Sequence, residues 1–118
     1  MTNTPTVNQV VGRLVELSRM LDEATNEYAE LDEAWVRAKA AHRVAYARSF
    51  LTTEGSVGFR EQTAVLKVED EWFAMEIADQ KVRACKERIR TIRDQIEVGR
   101  SLSSAIKAEF AAGAVGQP

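Results

Sequence analysis

Between Val7 and Ser49, residues taken at alternating steps of three and four form one ladder: Val7, Val10, Leu14, Leu17, Leu21, Ala24, Tyr28, Leu31, Trp35, Ala38, His42, Ala45 and Ser49. Eleven of the thirteen are apolar or aromatic, His42 and Ser49 being the exceptions, and no proline interrupts them. A seven-residue period held this long predicts one continuous helix that seats a narrow seam against a partner helix. At ~1.5 Å per residue the helix is roughly 65 Å long. Such a helix cannot be enclosed by a small globule, so the rest of the chain, and other copies of it, must cover the seam.

Thr6 is placed to cap this helix, with Gln9 three residues on as in a capping box. Gly12 works against the first turns, at a cost of about 1 kcal/mol. Thr52-Thr53-Glu54-Gly55-Ser56-Val57-Gly58 is the one interior stretch that reads as a turn, and Ser56 can cap the next helix. A second ladder begins Val65, Val68, Trp72, Met75 and resumes after a three-residue step at Ala78, Val82, Cys85, Ile89, Ile92, Ile96, Gly99, Ser103, Ile106 and Phe110. The short step is a local overwinding. Gly99 and the serines at 101, 103 and 104 leave two options, a continuous helix or a short third helix from Ser101, with Gly113 as the terminal cap.

The expected fold is therefore all-α: a long antiparallel helical hairpin, coiled-coil-like and oligomeric, forming one domain over residues 1–118. The helices are expected at about 6–51 and about 59–112, the turn at about 52–58, with ragged ends at 1–5 and 114–118. Charge blocks support the pairing. Residues 22–33 carry six acidic and no basic side chains, and residues 37–48 carry Arg37, Lys39, Arg43 and Arg48 with no acid. The second arm reverses the order, so folding at the turn sets each block beside its opposite. Trp35 and Trp72 are nearly symmetric about the turn, which predicts that they pack together. Val11, Val15, Val36, Val44, Phe73, Ile77 and Val98 lie off both ladders and call for cover from further copies.

The composition narrows the function. A net charge of −2 excludes a strongly basic nucleic-acid binder but leaves room for a local basic patch. One histidine, one cysteine and no glycine-rich phosphate loop argue against an enzyme, a cofactor or a metal centre. His42 reads as a seam or oligomer contact and Cys85 as a buried thiol. No apolar run approaches a membrane span and the N-terminus has no signal-peptide pattern, so a cytoplasmic location is expected. Lys39, Arg43, Arg48 and Arg60 gather near the turn with Tyr46, Phe50 and Phe59 between them. Basic side chains neutralise phosphates and aromatic faces stack bases. The plainer alternative is that the basic block only balances Glu69–Glu76 on the other arm.

A resemblance adds to this. Leu21-Asp22-x-Ala24, Tyr28, Trp35, Val44-Ala45-Tyr46-Ala47-Arg48, a glycine turn and Arg60 resemble, as a spaced pattern over residues 15–112, phage recombination mediators of the UvsY type. The resemblance implies a small helical protein that assembles as rings, binds single-stranded DNA and helps load a RecA-like recombinase onto strands coated by single-strand-binding protein. The family's Lys-Ala-Arg motif near the turn corresponds to Tyr46-Ala47-Arg48, so the arginine carries over and the lysine does not. Two other classes compete. One is a coiled-coil scaffolding or adaptor protein without a DNA patch. The other is a secreted helical hairpin of the WXG type, which the absence of Trp-x-Gly here disfavours.

Overall fold

A computed structural model describes residues 4–115. The described residues are all-α, with three helices: α1 (Val7–Thr52), α2 (Val57–Lys67) and α3 (Glu69–Val115). There is no strand among the described residues. The outermost residues of the expected ragged ends, 1–3 and 116–118, lie outside the described part.

The start of α1 is the expected capping box. Thr6 N–H donates to Gln9 Oε1 at 2.9 Å, and Gln9 N–H donates to Thr6 Oγ1 at 3.2 Å. At its other end Thr52 Oγ1 donates to the Arg48 carbonyl and Thr53 Oγ1 to that of Ser49, which also accepts from Thr53 N–H at 3.1 Å. Gly55 turns the chain at φ 126°, a backbone that glycine adopts without a Cβ penalty. Ser56 then caps α2 by accepting from Phe59 N–H at 3.2 Å.

The second arm is broken once, and not where the serines predict. Val68 leaves helical geometry at φ −107°, ψ 22°, and α3 begins at Glu69. Lys67 ends α2 while Glu69, Asp70 and Glu71 open α3. Each set of charges complements the helix dipole it sits on, which favours two termini at this point. α3 then runs through Gly99, the serines and Gly113 without interruption. No separate helix starts at Ser101, and Gly113 is not a cap, because its backbone stays helical.

Contacts divide the chain into two compact units, Met1–Thr25 with Glu87–Pro118, and Asn26–Lys86. In the first, Leu17, Ala24, Ile92 and Ile96 form a buried cluster flanked by Leu14, Met20, Leu21 and Ile89. Leu14 packs onto Gly99, whose missing side chain makes the room. In the second unit, Lys86 Nζ lies 5.8 Å from the Tyr28 ring centre and Arg60 Nε donates to the Phe50 carbonyl at 3.0 Å. Low numbers thus meet high ones and the two arms of this unit run in opposite directions. Ala64, Val68, Val82 and Cys85 are buried in it, and the three-residue step from Met75 to Ala78 keeps both partly covered.

The ladders describe burial well on α1 and less well on the second arm. Val65 and Trp72 are half exposed, and Phe110 is 81% exposed. On α2, Ala64 is buried in place of Val65, and its small side chain lets the helices approach. The charge blocks also hold ion pairs along their own helices. Arg37 pairs with Glu33 at 2.8 Å, Arg83 with Asp79 at 3.3 Å and Arg100 with Glu97 at 3.1 Å, each within one helix. A partner one turn away is reached with less ordering of long side chains than one on another helix.

Candidate nucleic-acid interface

The four basic residues near the turn do not form one cluster. Lys39 and Arg43 are four apart on α1 and share a flank. Arg48 lies nine residues past Lys39, about half a revolution round the helix. It therefore emerges on the opposite flank of the buried ladder. Arg43 and Arg48 are exposed.

Arg60 has a structural post. Besides the bond to the Phe50 carbonyl, its guanidinium carbon lies 4.2 Å from the Phe50 ring centre. α1 ends two residues beyond Phe50, so this carbonyl belongs to the last turn, where no helical amide is available. Arg60 thus closes the C-terminal end of α1 with a charge that suits the dipole there.

The flank bearing Lys39 and Arg43 also bears aromatic rings. Lys39 Nζ sits 3.8 Å over the Trp35 ring. His42 and Tyr46 are 6.4 Å apart between ring centres, and Tyr46 stacks on Phe50 at 6.5 Å with 12° between planes. All four rings are half-buried, held by the core on one edge and open on the other. A groove of about 490 Å³ opens beside them, lined by His42 and Tyr46 from α1, Val65, Leu66 and Val68 at the α2 end, and Glu69 and Trp72 from α3.

The two indoles do not pack together as expected. Trp72 borders the groove with His42 and Tyr46, whereas Trp35 lies under Lys39. With Tyr28 opposite Lys86, the register carries Trp72 about two turns past Trp35. Sequence reasoning missed this use of Trp72 because symmetry about the turn is a poor guide to register. The Trp35, Lys39, His42, Arg43, Tyr46, Phe50 spacing, by contrast, carries the flank openly.

Chemically, the flank offers ammonium and guanidinium groups for phosphates and ring faces for bases. No cluster of three metal-ligating side chains exists among the described residues. No helix among them is long and apolar enough to cross a membrane. No family model matches the chain, and neither does any curated protein or solved structure compared with it.

Proposed function

We propose that this chain is a self-associating helical hairpin, coiled-coil-like along its seam, that binds single-stranded DNA and acts as a recombination mediator. Its partners in that role are a RecA-like recombinase and single-strand-binding protein. The observation that carries the DNA reading is the union of Lys39 and Arg43 with the His42–Tyr46–Phe50 ladder on one flank of α1, beside a groove that Trp72 helps to line. The resemblance to UvsY-type mediators supplies the recombination setting. Within the site first expected from sequence, Lys39 and Arg43 take the phosphate contacts, Arg60 braces the turn, and Arg48 stands apart.

Binding of this kind is tolerant of sequence and weakens with salt, because it rests on phosphate neutralisation and stacking. The test is fluorescence anisotropy with a labelled oligothymidylate over a salt series. Replacing both Lys39 and Arg43 by alanine reduces the salt slope by roughly 1.4 per copy engaged, at about 0.7 per single-strand phosphate. Tyr46→Ala removes a stacking face and costs about 1–3 kcal/mol per base held there. Arg48→Ala changes binding less than either. Equal losses from Arg48→Ala and from the double replacement would refute the site.

A second reading is favoured by a different observation. Val36, Val44, Phe73 and Ile77 are exposed on the outer sides of unit Asn26–Lys86. A scaffolding or adaptor protein would need these faces and no DNA contact. A parent protein that self-associates but leaves the oligonucleotide unbound at low salt selects that reading.

A further inference from the structure

We infer that copies of this chain associate head to tail, the outer side of α1 in one copy seating on the outer side of the α2–α3 arm of the next. The inference rests on the self-association in the function proposed above and assigns it a surface.

On α1, Val36, Ala40, Val44, Ala47 and Leu51 recur at steps of three and four, so they share one side of the helix. That side is opposite the covered ladder of Ala38, His42, Ala45 and Ser49. Val36, Val44 and Leu51 are 51%, 43% and 75% exposed. On the other arm Phe73 and Ile77 are 58% and 37% exposed, facing away from the buried Val82. Both stripes lie in the unit Asn26–Lys86, whose arms pack through their inner ladders, so the stripes point away from each other. One copy cannot join its own two stripes, whereas two copies can.

Three features commit the occupant to a second copy. The stripes differ in size: alanines at 40 and 47 leave hollows on α1, and Phe73 is a large projecting side chain on α3. They also differ in charge. Residues 36–51 hold four basic and no acidic side chains, while residues 66–80 hold Glu69, Asp70, Glu71, Glu76 and Asp79 against Lys67. Finally, only part of this charge is used inside the chain, Arg37 by Glu33 and Asp79 by Arg83. Among the described residues neither Arg43 nor Arg48 has an acidic partner, and neither Glu69 nor Glu76 has a basic one.

The charge pattern also sets the symmetry. A two-fold contact would place the basic side against itself or the acidic side against itself, and both repel. The favourable contact joins unlike faces, which is heterologous and continues from copy to copy until rotation closes it. Opposite potentials on the two faces also direct the encounter. Arg48, away from the aromatic flank, takes its place here as a contact to the next copy's acidic side.

The test is sedimentation velocity without DNA, at micromolar protein. Val44→Glu disables the α1 face and Phe73→Lys disables the α3 face, each with a charge like that of the face it would meet. The parent is expected to sediment as an assembly and each variant alone as a 13.2 kDa monomer. Mixed in equal amounts, the two variants are expected to pair at twice that mass, since each retains one intact face. Should either apolar replacement lower the helix content in circular dichroism, Arg48→Glu and Glu76→Arg, at solvent-exposed and partly exposed sites, form a second pair: each alone is expected to be monomeric at low salt and their mixture to regain the parent's assembly, since the exchanged charges are again opposite where the two variants meet. A parent that stays monomeric, variants that assemble like the parent, or a mixture that does not pair would each overturn the inference. DNA binding is read separately, so a parent that assembles without binding DNA defeats the proposed site and leaves this interface standing.

Discussion

Gly99 lies inside a 47-residue helix, where glycine costs about 1 kcal/mol relative to alanine. Its neighbour explains why it is tolerated. A Cβ built there would lie 2.7 Å from Leu14 Cδ2 and 3.3 Å from Leu14 Cγ. Gly99→Ala therefore sets two effects against each other: a gain of about 1 kcal/mol in helix formation, and an overpacking cost of about 1–3 kcal/mol as Leu14 is displaced. The net expectation is a loss of about 0–2 kcal/mol. In a Leu14→Ala background the obstruction is gone, and the same change is expected to stabilise by about 1 kcal/mol. Urea unfolding of the four proteins at one fixed concentration gives the coupling energy, expected at about 1–3 kcal/mol. Gly12, with nothing within 4 Å of its virtual Cβ, is the control: Gly12→Ala should stabilise in either background. If Gly99→Ala stabilises the parent as much as the Leu14→Ala protein, the close approach of these helices is not what the glycine serves.

Gly55→Ala should cost about 1–3 kcal/mol, because an L-residue is strained at φ 126°; thermal melting checks it. Glu71 has a buried Oε2 without a hydrogen-bond partner. Glu71→Leu relieves about 1–3 kcal/mol of unpaired burial and forfeits about 0.3–1 kcal/mol of helix-dipole interaction, so the melting temperature should rise; a fall would show the carboxylate to be satisfied. Thr6→Ala should lower stability by about 1 kcal/mol through loss of the cap bond to Gln9, with fraying at the start of α1 visible in amide exchange.

The long helix and its inner face were legible because a ladder of this length has few competitors. Leu17 and Ala24 are buried where the spacing puts them, and Val7 alone strays, at the end where the helix begins. The cap residues were legible too, since Thr6 and Ser56 act on amides only three residues away. The break at Val68 had a signal, the switch from Lys67 to Glu69-Asp70-Glu71, which an apolar ladder drawn straight through it overrides. The candidate site was half legible. Lys39, Arg43, Tyr46 and Phe50 follow from spacing, whereas Arg60 could not be known as the brace of α1 without the turn that delivers it to the Phe50 carbonyl. Arg48 looks close to Arg43 in sequence, and only the helical rotation separates them.

What the sequence determined alone is the set of local commitments: two long helical arms, where they start, where the chain reverses, and which side of α1 turns inward. These depend on neighbours within about four residues, and so on side chains the chain always has at hand. Tertiary structure decided what depends on register and depth. It placed Ala64 inward and Val65 outward, brought Trp72 to Tyr46 and away from Trp35, and put Leu14 against Gly99. It also left Arg43, Arg48, Glu69 and Glu76 without ion-pair partners among the described residues. The physical reason is that an apolar ladder specifies a face but not the height at which a second helix meets it, and that height is set by which side chains interlock.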